Sequence, residues 1–337
     1  MKENKKIILG LESSCDETAA ALVLRQGQKF EILANLVFSQ IAIHKKFGGV
    51  VPEVAARNHI KKILPVLEQT LKQAKISPSQ ISSLAATTGP GLVTSLLVGL
   101  ETAKTLAYVW QKPIVPVNHL RAHVYANWLN NQKILFPAVC LLVSGGHTEL
   151  ILLTSPTKLK KIGQTLDDAA GEAFDKVAAL LNIGYPGGPV ISQLALKGNP
   201  NTFALARPML NRQDFNFSFS GLKTSVLYTF QKLKNKDLKT KADLCASFQQ
   251  ATVDVLTTKT MKAALAQKAK TVMLSGGVAA NQLLRQTLEE KVKKQNLKFL
   301  MPPINLCTDN AAMVACAGFF AKPEPWPSLS VDPNLEI

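Results

Sequence analysis

The sequence predicts a duplicated α/β fold of two lobes, and three observations predict it. A buried-strand pattern, a polar turn and a second strand succeed one another over residues 7–24, and the succession returns over residues 138–153, about 130 residues later. A third apolar strand, 271–275, runs through Gly276-Gly277 into a helical pattern at 282–294. Long helical patterns fill the intervals, and 337 residues suit two separate cores.

In chain order, Ile7-Ile-Leu-Gly-Leu11 reads as a buried strand, Glu12-Ser-Ser-Cys-Asp-Glu-Thr18 as a polar turn, and residues 19–24 as the partner strand of a hairpin. Residues 53–72 follow Pro52 and carry Val54, Ile60, Ile63, Leu64, Leu67 and Leu71 at helical spacing. Residues 92–110 follow Thr88-Gly-Pro-Gly91 and are apolar enough to predict a buried helix. A polar stretch at 127–133 marks a lobe boundary. Strand 138–143, the turn Ser144-Gly-Gly-His-Thr148 and strand 149–153 repeat the opening motif. Residues 231–241 are Lys-rich and read as a solvated loop or helix end, and 243–269 as a long helix. Residues 323–337 hold four Pro and read as an irregular tail. The expected division is a first α/β lobe at 1–130, a second at 131–306, a helix at an inter-lobe cleft at 307–322, and the tail at 323–337.

A hydrophobic fraction of 47% with 18% charged residues is that of a soluble globular chain. The apolar run after the basic N-terminal stretch is five residues before Glu12, too short for a signal-peptide core, and no membrane-spanning stretch follows. Five Cys (15, 140, 245, 307, 316) without a C-x-x-C pair read as reduced thiols, which suits a cytoplasmic protein. The net charge of +16 suits a polyanionic partner such as nucleic acid, although Lys on solvated helix faces accounts for part of it.

His119 and His123 stand four residues apart, so on a helix both imidazoles share a face and can reach one metal ion. Zinc peptidases use the same spacing but need Glu directly after the first His as a base for metal-bound water; here that residue is Leu120. The segment therefore offers ligands without a hydrolytic base. Asp309, ahead of an apolar helical run, is either a helix cap or the carboxylate that completes a two-His, one-carboxylate set. Ser144-Gly145-Gly146, Ser275-Gly276-Gly277 and Tyr185-Pro-Gly-Gly-Pro189 are turns whose backbone N–H groups can hold phosphate or carboxylate; each taken alone reads equally as an ordinary tight turn. None fits the P-loop or dinucleotide fingerprints. Asp168, Glu172 and Asp175 can share a helix face, either toward a ligand or as a solvated acidic helix start.

Together these segments closely resemble the TsaD/Gcp family of tRNA adenosine threonylcarbamoyltransferases over roughly residues 7–320. The resemblance is carried by Gly10-Leu-Glu-Ser-Ser-Cys-Asp-Glu-Thr18, Gly48-Gly-Val-Val-Pro-Glu53, Thr88-Gly-Pro-Gly-Leu92, His119-x3-His123 and Leu142-Val-Ser-Gly-Gly-His-Thr148. It continues through Asp167-Asp-Ala-Ala-Gly-Glu-Ala-Phe-Asp-Lys176, Tyr185-Pro-Gly-Gly-Pro189, Phe217-Ser-Phe-Ser-Gly-Leu-Lys223, Ser275-Gly-Gly-Val-x-x-Asn281 and Cys307-Thr-Asp-Asn310. It implies a duplicated actin/sugar-kinase/Hsp70-like (ASKHA, RNase H-like) fold with a central cleft. It implies transfer of a threonylcarbamoyl group from threonylcarbamoyl-AMP to N6 of adenosine 37 in tRNAs reading codons that begin with A. It further implies one divalent metal of the iron type, Fe(2+), per subunit on His119, His123 and Asp309. Acyl-adenylate contacts are implied from Leu142, Val143, Ser144, Gly145, Gly146, Asp175, Gly188 and Asn281, with Asp16 and Glu17 as the catalytic acidic positions. The implied partners are tRNA, a paralogous subunit of the TsaB type and a small P-loop ATPase of the TsaE type. Two departures stand out: Ser192 replaces an Asp common in relatives, and the tail lacks their Arg-Trp-Pro ending. Rival readings are an ATPase or phosphotransfer enzyme of the same fold, a metal-dependent peptidase that Leu120 disfavours, and a non-catalytic RNA-binding scaffold.

Overall fold

The computed structural model describes residues 5–337; residues 1–4, the start of the basic N-terminal stretch, lie outside the described residues. The chain forms two compact units. One comprises residues up to Lys133 together with Pro302–Ile337, the other Ile134–Met301.

In the first unit, β1 (Lys6–Glu12), β2 (Glu17–Gln26) and β3 (Lys29–Ser39) make an antiparallel meander. The short α1 (Ile41–His44) and the long α2 (Pro52–Ala74) follow, then β4 (Ser83–Gly89), α3 (Val93–Trp110), β5 (Ile114–Asn118) and α4 (His119–Tyr125). Strand order is β3-β2-β1-β4-β5, with β4 parallel to β1 and β5 parallel to β4. Leu9 and Leu11 of β1 face Ile63 and Leu67 of α2 and Leu100 and Ala103 of α3. The alternate residue Gly10 faces a helix from the far end of the chain, Ala311–Gly318, so closely that a Cβ would lie 2.4 Å from the Ala311 carbonyl oxygen. Burial on both faces explains why β1 reads as an unbroken apolar run.

The two long helices of this unit are half-buried rather than enclosed. Ile63 and Leu67 of α2 point to the sheet, while Ile60 and Leu64 are exposed. The expectation of a buried helix at 92–110 is corrected in the same way: Leu96, Leu100, Ala103 and Ala107 of α3 are buried, but Val93, Leu97, Tyr108 and Val109 face solvent.

The division of the chain differs from the expected one. The break falls after Lys133, and residues from Pro302 onward belong with the first unit. The reason is packing: every residue of the Ala311–Gly318 helix is buried, against β1, β2 and α4 among others. The tail is irregular but fastened. Glu324 N donates to Ile114 O at 2.9 Å, Asp332 N to Thr88 O at 2.8 Å, and Leu329 enters the core.

The second unit repeats the plan. β6 (Ala138–Val143), β7 (Thr148–Ser155) and β8 (Lys158–Gln164) form the meander; α5 (Ala170–Leu180), α6 (Gly187–Ala195), α7 (Ser220–Lys232) and α8 (Leu238–Ala266) follow; β9 (Thr271–Ser275), α9 (Gln282–Lys294) and β10 (Lys298–Leu300) complete it. Its order, β8-β7-β6-β9-β10, is that of the first sheet strand for strand, with β9 and β10 parallel to β6. The duplication read from the repeated strand–turn–strand motif is thus a duplication of topology.

Candidate functional site

In the first unit, Asn118 ends β5 and caps α4, its Oδ1 accepting Arg121 N at 3.0 Å. That cap starts the helix at His119 and puts His119 and His123 one turn apart on one face, their ring centroids 4.7 Å apart. Asp309 meets them from the segment before the Ala311–Gly318 helix. Its Oδ1 lies 3.1 Å from His123 Nε2 and 3.5 Å from His119 Nε2. One ligand atom from each of the three residues falls within 4.8 Å of the others. The two Asp309 separations are those of neighbouring ligand atoms around an ion with bonds of roughly 2.1 Å. The helix that follows is capped by Asn310, whose Oδ1 accepts Met313 N.

The surroundings also fit a cation. Glu12 is fully buried at the end of β1, with Oε2 3.1 Å from His119 Nδ1. Burial would lower the basicity of His119, but the charges of Asp309 and Glu12 outweigh it and raise it to about 9. Burial would raise the Glu12 carboxyl, and its charge interaction and hydrogen bond with His119 hold it low. On the same turn Glu17 is pushed up to about 10 by burial and by the charges of Asp309 and Asp16. Glu12, Asp16, Glu17 and Asp309 thus crowd carboxyl groups around two imidazoles, a set that suits a divalent ion. Leu120 is buried in the core and holds no base near the triad.

In the second unit, β6 ends in Leu142 and Val143, both fully buried, and delivers the turn Ser144-Gly145-Gly146. The carbonyls of this turn are occupied from the far side: Gly171 N and Glu172 N donate to Ser144 O and Gly145 O at 3.2 and 3.0 Å. Around the Cα atoms of Gly145, Gly146, Gly188 and Gly277 there is open space where a side chain would stand. Gly276 has φ +90°, and a Cβ there would strike Val143 O, so the turn after β9 lies against the end of β6. Asp175 Oδ1 accepts Gly187 N at 2.7 Å and fixes the start of α6. Asn281 caps α9 through Leu284 N, and its Nδ2 donates to Ser192 Oγ at 2.9 Å and Gln249 Oε1 at 2.8 Å. The ends of parallel strands in an α/β sheet are where such folds bind ligands, and these turns sit at the ends of β6 and β9.

A profile of the family described as "TsaD: tRNA N6-adenosine threonylcarbamoyltransferase" matches residues 31–316. The chain belongs to the TsaD family. Relatives named tRNA N6-adenosine threonylcarbamoyltransferase include that of Syntrophomonas wolfei subsp. wolfei, 52% identical over 92% of this chain and 91% of the relative. That of Thermosipho africanus is 49% identical over 98% of this chain and all of the relative. Among solved structures, the chain resembles T. kodakarensis HypF at TM-score 0.62 and 15% identity, covering 94% of this chain and 47% of that one. It resembles the Acidaminococcus fermentans (R)-2-hydroxyglutaryl-CoA dehydratase component A at TM-score 0.52 and 16% identity, over 92% and 96%. These likenesses speak to fold, and this TsaD family member has the duplicated ASKHA-type α/β fold.

For this TsaD family chain, the three ligand candidates from sequence, His119, His123 and Asp309, come together in the first unit beside Asp16 and Glu17. Of the acidic group read at 168–175, Asp168 and Glu172 share a partner in Lys176 and only Asp175 is directed elsewhere. Asp168 is held by Lys176 and Lys223 at 2.7 and 2.6 Å, Glu172 pairs with Lys176, and Asp175 turns to α6. Ser192, read from sequence as a departure from the family pattern, is a direct hydrogen-bond partner of Asn281. Sequence reasoning passed over Glu12 and Thr87. The signal for Glu12 was a carboxylate at the end of an otherwise apolar strand. Among the described residues, no helix is long and apolar enough to cross a membrane.

Proposed function

We propose that the chain transfers the threonylcarbamoyl group of threonylcarbamoyl-AMP to N6 of adenosine 37 in tRNAs reading codons that begin with A, releasing AMP. The reading rests most on one observation: two His and one Asp of a TsaD family chain present a metal-ligand set with no hydrolytic base at position 120. The exocyclic amine attacks the carbamoyl carbon, the new N–C bond forms, the bond from carbon to the phosphate oxygen breaks, and AMP departs. In this reading His119, His123 and Asp309 hold a divalent ion of the iron type, which supplies Lewis-acid polarisation of the acyl oxygen or the leaving phosphate.

The backbone of Ser144, Gly145 and Gly146 receives the acyl-adenylate, with Leu142 and Val143 as the apolar floor behind it. Asp175, Gly188 and Asn281 complete its contacts. We assign to Asp16 the proton that the amine loses, with Glu17 beside it as the second acidic position of the turn. The charge of +16 supplies attraction for the tRNA backbone. A paralogous TsaB-type subunit, a small TsaE-type ATPase and a cytoplasmic setting belong to the same reading.

The test incubates the chain with those partners, threonine, bicarbonate, ATP and unmodified tRNA, with and without chelator, and reads nucleosides by mass spectrometry. Modified adenosine that disappears with chelator is the expected result. No modified adenosine in the complete mixture, with peptide cleavage instead, overturns it.

A further inference from the structure

Glu12 is a carboxylate with no exposed surface, and every contact it makes bears on His119. Its Oε1 accepts Ser14 N at 2.6 Å, and its Oε2 accepts Thr87 Oγ1 at 2.7 Å. With both oxygens fixed, Oε2 stands 3.1 Å from His119 Nδ1. An ionised carboxylate can only accept, so Nδ1 carries the proton, and the lone pair of the neutral ring is on Nε2. Nε2 is the atom that faces Asp309. Ser14 Oγ, 3.2 Å from Nδ1, braces the same edge of the ring. His123 has no counterpart to this arrangement: its Nδ1 is buried and finds no hydrogen-bond partner among the described residues.

We infer that Glu12 is a positioning residue for the metal centre: it selects the His119 tautomer that offers Nε2 to the ion and supplies a second negative charge behind the ring. The inference rests on the metal-binding reading of His119, His123 and Asp309. A carboxylate hydrogen-bonded to the far nitrogen of a ligating imidazole fixes the ring and raises its basicity as a ligand. Thr87 on β4 and the Ser14 amide act through Glu12 by denying it any other orientation.

The experiment titrates Co(II) into the purified metal-free chain against a competing chromophoric chelator and records the visible Co(II) spectrum. Glu12→Gln should weaken Co(II) binding by about 10- to 100-fold and alter the spectrum, while the metal-free variant melts with the wild type. Thr87→Val, which removes only the hydroxyl that fixes Oε2, should weaken it less in the same direction, and it carries the test alone if Glu12→Gln folds poorly. Excess metal should restore tRNA modification by Glu12→Gln. Wild-type affinity and spectrum in both variants would overturn the inference while leaving the metal reading intact. A wild-type chain that takes up no Co(II) would overturn both. Weaker binding matched by a lower melting temperature of the metal-free variant, with no rescue by metal, would make Glu12 a structural residue and reject the positioning role.

Discussion

The turn after β1 and the turn after β6 occupy the same place in two sheets of identical strand order, yet their chemistry is opposite. The first, Glu12 to Glu17, carries three carboxylates and stands beside Asp309 and two imidazoles. The second, Ser144-Gly145-Gly146-His147, has no carboxylate and presents backbone with open space around two glycines. One copy of the scaffold has been given side-chain charge, the other bare peptide dipoles. The comparison teaches that the fold supplies an address, the end of the first strand, and that each copy fills it with a different kind of electrostatics.

The largest effect expected is from His123→Ala or Asp309→Ala. Each should cut tRNA modification by about a thousandfold, since several kcal/mol of transition-state stabilisation go with the ion. Metal content by elemental analysis should fall with it, and binding of an AMP analogue to the second unit should not change. Loss of both together would break the division of labour between the turns. Next is Gly145→Val, which fills the open side of the second turn. It should raise KM for the acyl-adenylate by roughly 10- to 100-fold, about 1.4 kcal/mol for each factor of ten, with metal content unchanged.

A smaller effect is expected from Asn281→Ala. Removing the cap of α9 should cost about 1 kcal/mol, read as a lower melting temperature, with weaker AMP-analogue binding as Ser192 and Gln249 lose their partner. The smallest concerns acid. Asp167 accepts hydrogen bonds from Ser218, Phe219 and Ser220 that, against the opposing pull of burial, hold its carboxyl below the usual range. A depressed folded-state value contributes stability that is present above the unfolded carboxylate value and lost as pH falls through the depressed one. Amide protection factors around residues 217–220, taken relative to intrinsic exchange at each pH, should therefore fall on acidification below about pH 4, and Asp167→Asn should flatten that response.

Strands 7–11 and 138–143 were legible because both faces of a central strand are buried, which leaves a continuous apolar run. Edge strands were not. β8 begins Lys158-Leu-Lys-Lys, and its charges, which guard an exposed edge, break up the apolar run by which a strand is read. β3 is broken up in sequence by Glu31 and Asn35, and escaped for the same reason. At the site, His119 and His123 were legible because helix geometry fixes the distance between positions i and i+4. Asp309 was legible as a ligand only as one of two readings, because nothing local separates it from a cap; Asn310 takes that duty. Glu12 stood out as a carboxylate ending an apolar strand, but its partner was out of reach, since His119 lies 107 positions away and only the pairing of β1 with β4, and of β4 with β5, brings them together.

The first unit is assembled from both ends of the chain, and the second from an uninterrupted stretch. During synthesis the second unit has all of its own strands before Pro302 has been added, whereas the first still lacks the helix that packs on Gly10. It also lacks Asp309 and the final residues whose carbonyls, Leu335 O and Glu336 O, accept from the Asn118 cap of the His helix. A chain that stops early therefore keeps its glycine turns but cannot close the three-ligand set. In the metal-binding reading proposed above, the site depends by topology on synthesis past Asp309, so a polypeptide that stops short of it has no centre in which to hold an ion.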